Sequence, residues 1–125
     1  MSPVIRVDAG WILEIQTHVS PINTPVADWG ALDAMASRHL LEQPHGELYY
    51  TEPAARAATF FHTALLLRPF ADFNAVIGWA CASLYMTASG QRVDPKSDDV
   101  HLLAGAIRAQ EADLRDTARA IAGWR

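Results

Sequence analysis

Cysteine is almost missing from this chain: among 125 residues only Cys81 carries a thiol. No intramolecular disulfide can form, and a cysteine-rich zinc site is excluded. Lysine is equally scarce. Lys96 stands alone beside nine arginines, and the net charge is −4. A basic footprint for nucleic acid is therefore absent. Long apolar runs are absent too, since the longest, Ala75 to Met86, is too short to span a bilayer. The N-terminal stretch "MSPVIRVDAG" has no charged start followed by a long apolar run. No secretory leader is expected, and a cytoplasmic protein is. Period-two alternation never lasts beyond a few residues, which leaves little room for sheet. Repeats, low-complexity tracts and linkers are also missing.

What remains is a chain that is half hydrophobic, long enough to bury a core as one domain over residues 1–125. It reads as helices separated by short breaks. Asp8 can cap a first helix over 9–19, with Ile12, Ile15 and Val19 on one face. After the "SPINTP" loop, Asp28 can cap a second over 29–42, with Leu32, Met35, Ala36, His39 and Leu40 as its apolar stripe. Pro44 and Gly46 mark a turn, and "ELYYT" has strand-like residues. A short β-flap is expected near 46–52. Pro53 suits the first turn of a third helix over 53–67, with Thr51 as its cap. Asn74 or Asp72 opens a fourth that runs to about Ser89 and ends at Gly90. Between 75 and 86 only Ser83 and the Tyr85 hydroxyl are polar, so this helix is expected to be buried on all sides and central. Ser97 or Asp98 can cap a fifth helix over 99–109, and Asp113, or a residue just before it, starts a last one ending near Gly123. The expected class is all-α.

Between the third and fourth helices lies "RPFADFNAV", residues 68–76. It resembles the Fic/Doc family signature, approximately HxFx(D/E)GN(G/K)R, with Pro69, Phe70, Asp72 and Asn74 in register. "VADWGALDAMASR", "EPAARAATFFHTALLL" and "ACASLYMTASGQRV" resemble the segments that flank this loop in small Doc-type (death-on-curing) members. The resemblance covers about residues 5–122. It implies a helical bundle with a central helix behind the motif and a flap over the site. It also implies transfer of AMP, phosphate or a related group to a protein hydroxyl, and a toxin neutralised by an antitoxin.

Such transfer needs a general base, cations and N–H groups for the phosphates, and commonly a carboxylate-held metal. The motif departs from all of these. Arg68 stands at the position of the family's basic histidine and stays protonated. Phe73 replaces the glycine that admits phosphate. Ala75 and Val76 replace two phosphate ligands. Asp72 alone makes no metal site, and no histidine spacing matches HExxH. No metal is therefore expected, and ATP with Mg²⁺ enters only with residual family activity. Loss of histidine-dependent transfer is the expectation.

Each candidate residue has a functional and a structural reading. Arg68 either binds an anion or pairs internally, for instance with Asp72. Asp72 and Asn74 either face a ligand or cap the following helix. Phe70 is a core anchor or a ligand contact. His62, six residues before Arg68, is the first candidate for a substitute base. Tyr49 and Tyr50 in the flap either stack on a ligand or pack the flap down. Three functions follow: a diverged toxin-type Fic/Doc protein with an antitoxin or other protein partner; a Fic fold repurposed as an enzyme for a non-nucleotide small molecule near Arg68; and a non-catalytic interaction module. Oligomeric state is open.

Overall fold

Six α-helices and one 3-10 turn account for the regular structure of the computed structural model, which describes residues 3–125. Met1 and Ser2, the start of the stretch weighed as a leader and of the expected domain, lie outside the described residues. Helix α1 is Ala9–Val19, α2 Trp29–Ser37, α3 Pro53–Leu67, α4 Asn74–Ala88, α5 Ser97–Arg108 and α6 Leu114–Gly123. The all-α class holds. None of the helices among the described residues is long and apolar enough to cross a membrane.

Three aspartates start helices as their positions suggest. Asp8 Oδ1 accepts the Trp11 N–H at 3.0 Å, and Asp28 Oδ1 accepts the Ala31 N–H at 3.0 Å. Asp113 and Asp116 exchange reciprocal bonds of 2.8 and 3.0 Å in a capping box. Each satisfies a donor that the helix itself cannot. Two other starts differ from expectation. Glu52, not Thr51, precedes α3 and offers it no side-chain bond; Lys96 does the same for α5. Thr51 instead presents its carbonyl to Arg56, at 2.8 Å. Helix α2 stops at Ser37 and tightens into the 3-10 turn Arg38–Leu40, short of the expected residue 42. That turn drives His39 fully into the core.

The expected flap has no regular strand. Its pairing reduces to one isolated antiparallel bridge, Glu42 with Leu48. A second bridge joins Val26 to Phe70.

The central helix is α3, not α4. Ala54 and every residue from Arg56 to Leu65 are buried, and α3 packs against α2, α4, α5 and α6. Helix α4 buries Ile77, Gly78, Cys81, Ala82, Tyr85 and Met86 on one face and leaves Val76 and Leu84 nearly half exposed. An apolar sequence did not mean burial on every side, because no element covers that outer face. Gly78 sets the α3–α4 spacing: a Cβ there would stand 2.6 Å from the Ala64 Cβ.

Arg56 and Tyr85 tie three distant segments together. Arg56 Nε donates to Tyr85 Oη at 2.9 Å, and its Nη1 donates to the Tyr50 and Thr51 carbonyls. Tyr85 Oη donates onward to the Ile5 carbonyl at 2.6 Å. The buried guanidinium thus meets oxygen acceptors on several sides, which a buried charge requires.

Candidate functional site

The loop between α3 and α4 is held by backbone pairing first. The Pro69 carbonyl accepts the N–H groups of Ala27 at 2.8 Å and Asp28 at 3.1 Å, and Ala71 N–H donates to the Pro25 carbonyl at 3.0 Å. The ring of Phe70 is buried in the core. Asn74 then closes the loop. Its Oδ1 accepts the Phe70 N–H at 2.9 Å and its Nδ2 donates to the Phe70 carbonyl at 2.8 Å. Both polar ends of this buried side chain bond the loop backbone, so Asn74 clamps the loop, and the buried Phe70 anchors it.

The loop begins and ends on left-handed residues. Arg68 closes α3 with φ 49°, and Phe73 precedes α4 with φ 62°. Each Cβ in that region costs about 1–2 kcal/mol. Glycine adopts such a φ freely, whereas a phenylalanine there is strained. Asp72 Oδ1 accepts the Phe73 N–H at 2.9 Å. It stabilises the turn, but it is not the cap of α4, which has no side-chain cap bond. The first-turn N–H groups of α4 therefore keep their capacity for an anion.

These groups border a largely polar cavity of about 600 Å³, with Arg68, Asp72, Phe73 and Asn74 on the loop side and Arg108 and Gln110 at the end of α5. Arg68 is exposed, so no buried charge obliges it to pair internally. Two guanidiniums from separate elements, plus a helix N-terminus, suit a phosphate or carboxylate. Phe73 borders this cavity and is partly buried against the core.

His62 and the two tyrosines do not join this group. They border a second cavity of about 590 Å³ with Arg38, Asp113 and Arg115. Six residues along a helix turn through about 240° beyond one full circle, and Arg68 has already left the helix. His62 is therefore not positioned as a base beside Arg68. Its Nδ1 lies 3.1 Å from Nη1 of Arg38, and a guanidinium can only donate. The Nδ1 lone pair is occupied, which puts the ring proton on Nε2. Burial, then the Arg38 charge, lowers the pKa of His62, with Asp113 opposing. The neutral imidazole is a donor at Nε2, not a proton acceptor.

Sequence reasoning missed Arg38, Arg56 and Arg108. The one signal in the sequence was compositional: nine of the ten basic residues are arginines. Among the described residues no three His, Cys, Asp or Glu side chains converge as a metal cluster. No family model, no curated protein and no solved structure matches the chain.

Proposed function

We propose that this chain is a diverged Fic/Doc-type protein, related to the toxin component of a toxin–antitoxin pair, which binds an anionic group at the α3–α4 loop and does not transfer it. The observation that carries the reading is Phe73. A bulky residue held at φ 62° is a backbone conformation suited to glycine, and the family signature has glycine at that position. A left-handed residue at this position is what supports the reading, while Arg68, Phe73, Ala75 and Val76 depart from the side chains the signature carries.

The roles follow from the geometry. Arg68 and Arg108 supply charge to a bound phosphate or carboxylate, and the α4 N-terminus supplies N–H donors. The loop carries no histidine; Arg68 stays protonated and offers no base, and Asp72 accepts the Phe73 N–H through one carboxylate oxygen. The cavity does not fit a metal ion either, because Asp72 is the only carboxylate among the described residues bordering it. Mg²⁺-assisted transfer is accordingly not part of the proposal. The repurposed-enzyme reading is weakened, since His62, its candidate base, borders the other cavity with Nδ1 occupied.

Calorimetric titration with inorganic phosphate and with ATP, each with and without Mg²⁺, tests this on the natural chain and on Arg68→His. The natural chain should bind phosphate weakly, independently of Mg²⁺, and leave label from ATP on no protein substrate. Arg68→His should weaken binding. Transfer of labelled AMP or phosphate by the natural chain would overturn the reading, as would binding unaffected by Arg68→His.

A further inference from the structure

The second cavity, bordered by Arg38, Tyr49, Tyr50, His62, Asp113 and Arg115, has no part in the reading above and is argued independently of it. Its size falls within the range of small-molecule sites. Its donors are pre-oriented. Arg38 Nη1 donates to His62 Nδ1 and to Thr63 Oγ1, each at 3.1 Å. Both bonds leave from one terminal nitrogen, so the guanidinium plane is fixed while its other N–H groups retain donor capacity. That fixation lowers the entropy cost of gripping an anion. The same bond leaves His62 with its remaining polar hydrogen on Nε2. Arg115 adds a second cation. Asp113 is the one carboxylate among the described residues bordering the cavity; its Oδ1 accepts the Asp116 N–H at 2.8 Å as the α6 cap, and two guanidiniums outweigh its charge.

The flap contributes aromatic surface rather than polar contacts. Tyr49 and Tyr50 meet edge to face with ring centroids 5.0 Å apart. Packing the flap down does not explain Tyr49, which is 59% exposed. Two tyrosine rings inclined at 71° make a corner into which a flat ring can stack.

We infer that this cavity binds a small planar aromatic ring carrying one anionic group, with the ring against the Tyr49–Tyr50 corner and the anion on Arg38 and Arg115. Either a carboxylate or a phosphate monoester presents this chemistry. The ¹⁵N-labelled full chain should be titrated with benzoate, phenyl phosphate, acetate and benzyl alcohol, following amide shifts.

Benzoate or phenyl phosphate should give saturable shifts at residues 49–51 and 114–118. Affinity should exceed that of acetate and of benzyl alcohol by about tenfold, one charge-assisted contact or one stacked ring each. Tyr49→Ser and Arg115→Gln, both at exposed positions, should each weaken binding by about fivefold to tenfold without moving the melting temperature. Equal affinity for benzyl alcohol or acetate would overturn the inference. So would saturable shifts confined to residues 68–76, no saturable shift at all, or full affinity in Tyr49→Ser. Shifts at residues 72–76 with inorganic phosphate report the loop cavity alone, so failure of either proposal is read separately.

Discussion

Acid should weaken this fold through one imidazole. His39 is fully buried in the 3-10 turn, between the rings of Phe60 and Tyr85 at centroid distances of 4.9 and 5.6 Å. Its Nε2 accepts the Val7 N–H at 3.2 Å, which puts the ring proton on Nδ1, an atom without a hydrogen-bond partner. Protonation would break the Val7 bond and place a second cation near Arg56. Burial above all, with smaller contributions from the charges of Arg56 and Arg6 and an opposing one from the Ala36 backbone, takes the pKa from 6.5 to about 4. Because the folded value is depressed, the unfolded chain gains its proton first as pH falls. The stabilisation is complete above pH 6.5 and drains away as pH drops toward the folded value near 4. Between neutral pH and about pH 4.5 the loss comes to about 2–3 kcal/mol. Urea unfolding across that interval, set against His39→Gln, measures it. The variant keeps an acceptor for Val7 but cannot titrate, so its loss should be smaller by that amount. Equal losses in the two proteins, or an NMR titration of folded His39 centred near 6.5, would refute the reasoning.

Three further outcomes follow from the packing. Asn74→Ala should cost about 2–3 kcal/mol in chemical denaturation, because it strands the Phe70 N–H and carbonyl in a buried loop; an unchanged midpoint would show that the clamp is dispensable. Gly78→Ala should cost about 1–3 kcal/mol by forcing α3 and α4 apart, and Ala64→Gly in the same chain should restore most of the lost melting temperature. Cys81, fully buried and with its thiol pushed up to about 12 by burial, should resist iodoacetamide in the native protein and react on unfolding; rapid native labelling would contradict the packing of α4.

The helix starts were legible because caps are local. Asp8, Asp28, Pro53 and Asp113 act within one turn of their own positions, and Gly90, at φ +79°, ends its helix where a glycine should. The choice of central helix was not local. No polar residue falls within the apolar run of α4 except Ser83 and Tyr85, whereas helix α3 carries four, Arg56, Thr59, His62 and Thr63. Each finds a partner inside: the Thr59 hydroxyl donates to the Arg56 carbonyl at 2.6 Å, and Arg38 donates to both His62 and Thr63. Satisfied polar groups disguise a buried helix, just as the exposed Val76 and Leu84 made α4 look more buried than it is. The loop residues from Arg68 to Asn74 stayed together because they are contiguous. The tyrosines and His62 border a different cavity from the loop residues, because helical rotation and the path of the flap decide that, and composition records neither.

The Arg56–Tyr85 link also bears on the order of assembly. The Tyr85–Ile5 bond closes over 80 positions of chain, whereas helices α3 and α4 are neighbours joined by a short loop. Closing the larger ring costs more chain entropy, so the α3–α4 hairpin forms first and the strap of residues 5–7 locks last. Native-state hydrogen exchange should then find the Val7 amide, held by His39, opening by a smaller event than the amides in the middle of α3. Removing the Tyr85 hydroxyl should speed exchange at Val7 while leaving the centre of α3 slow.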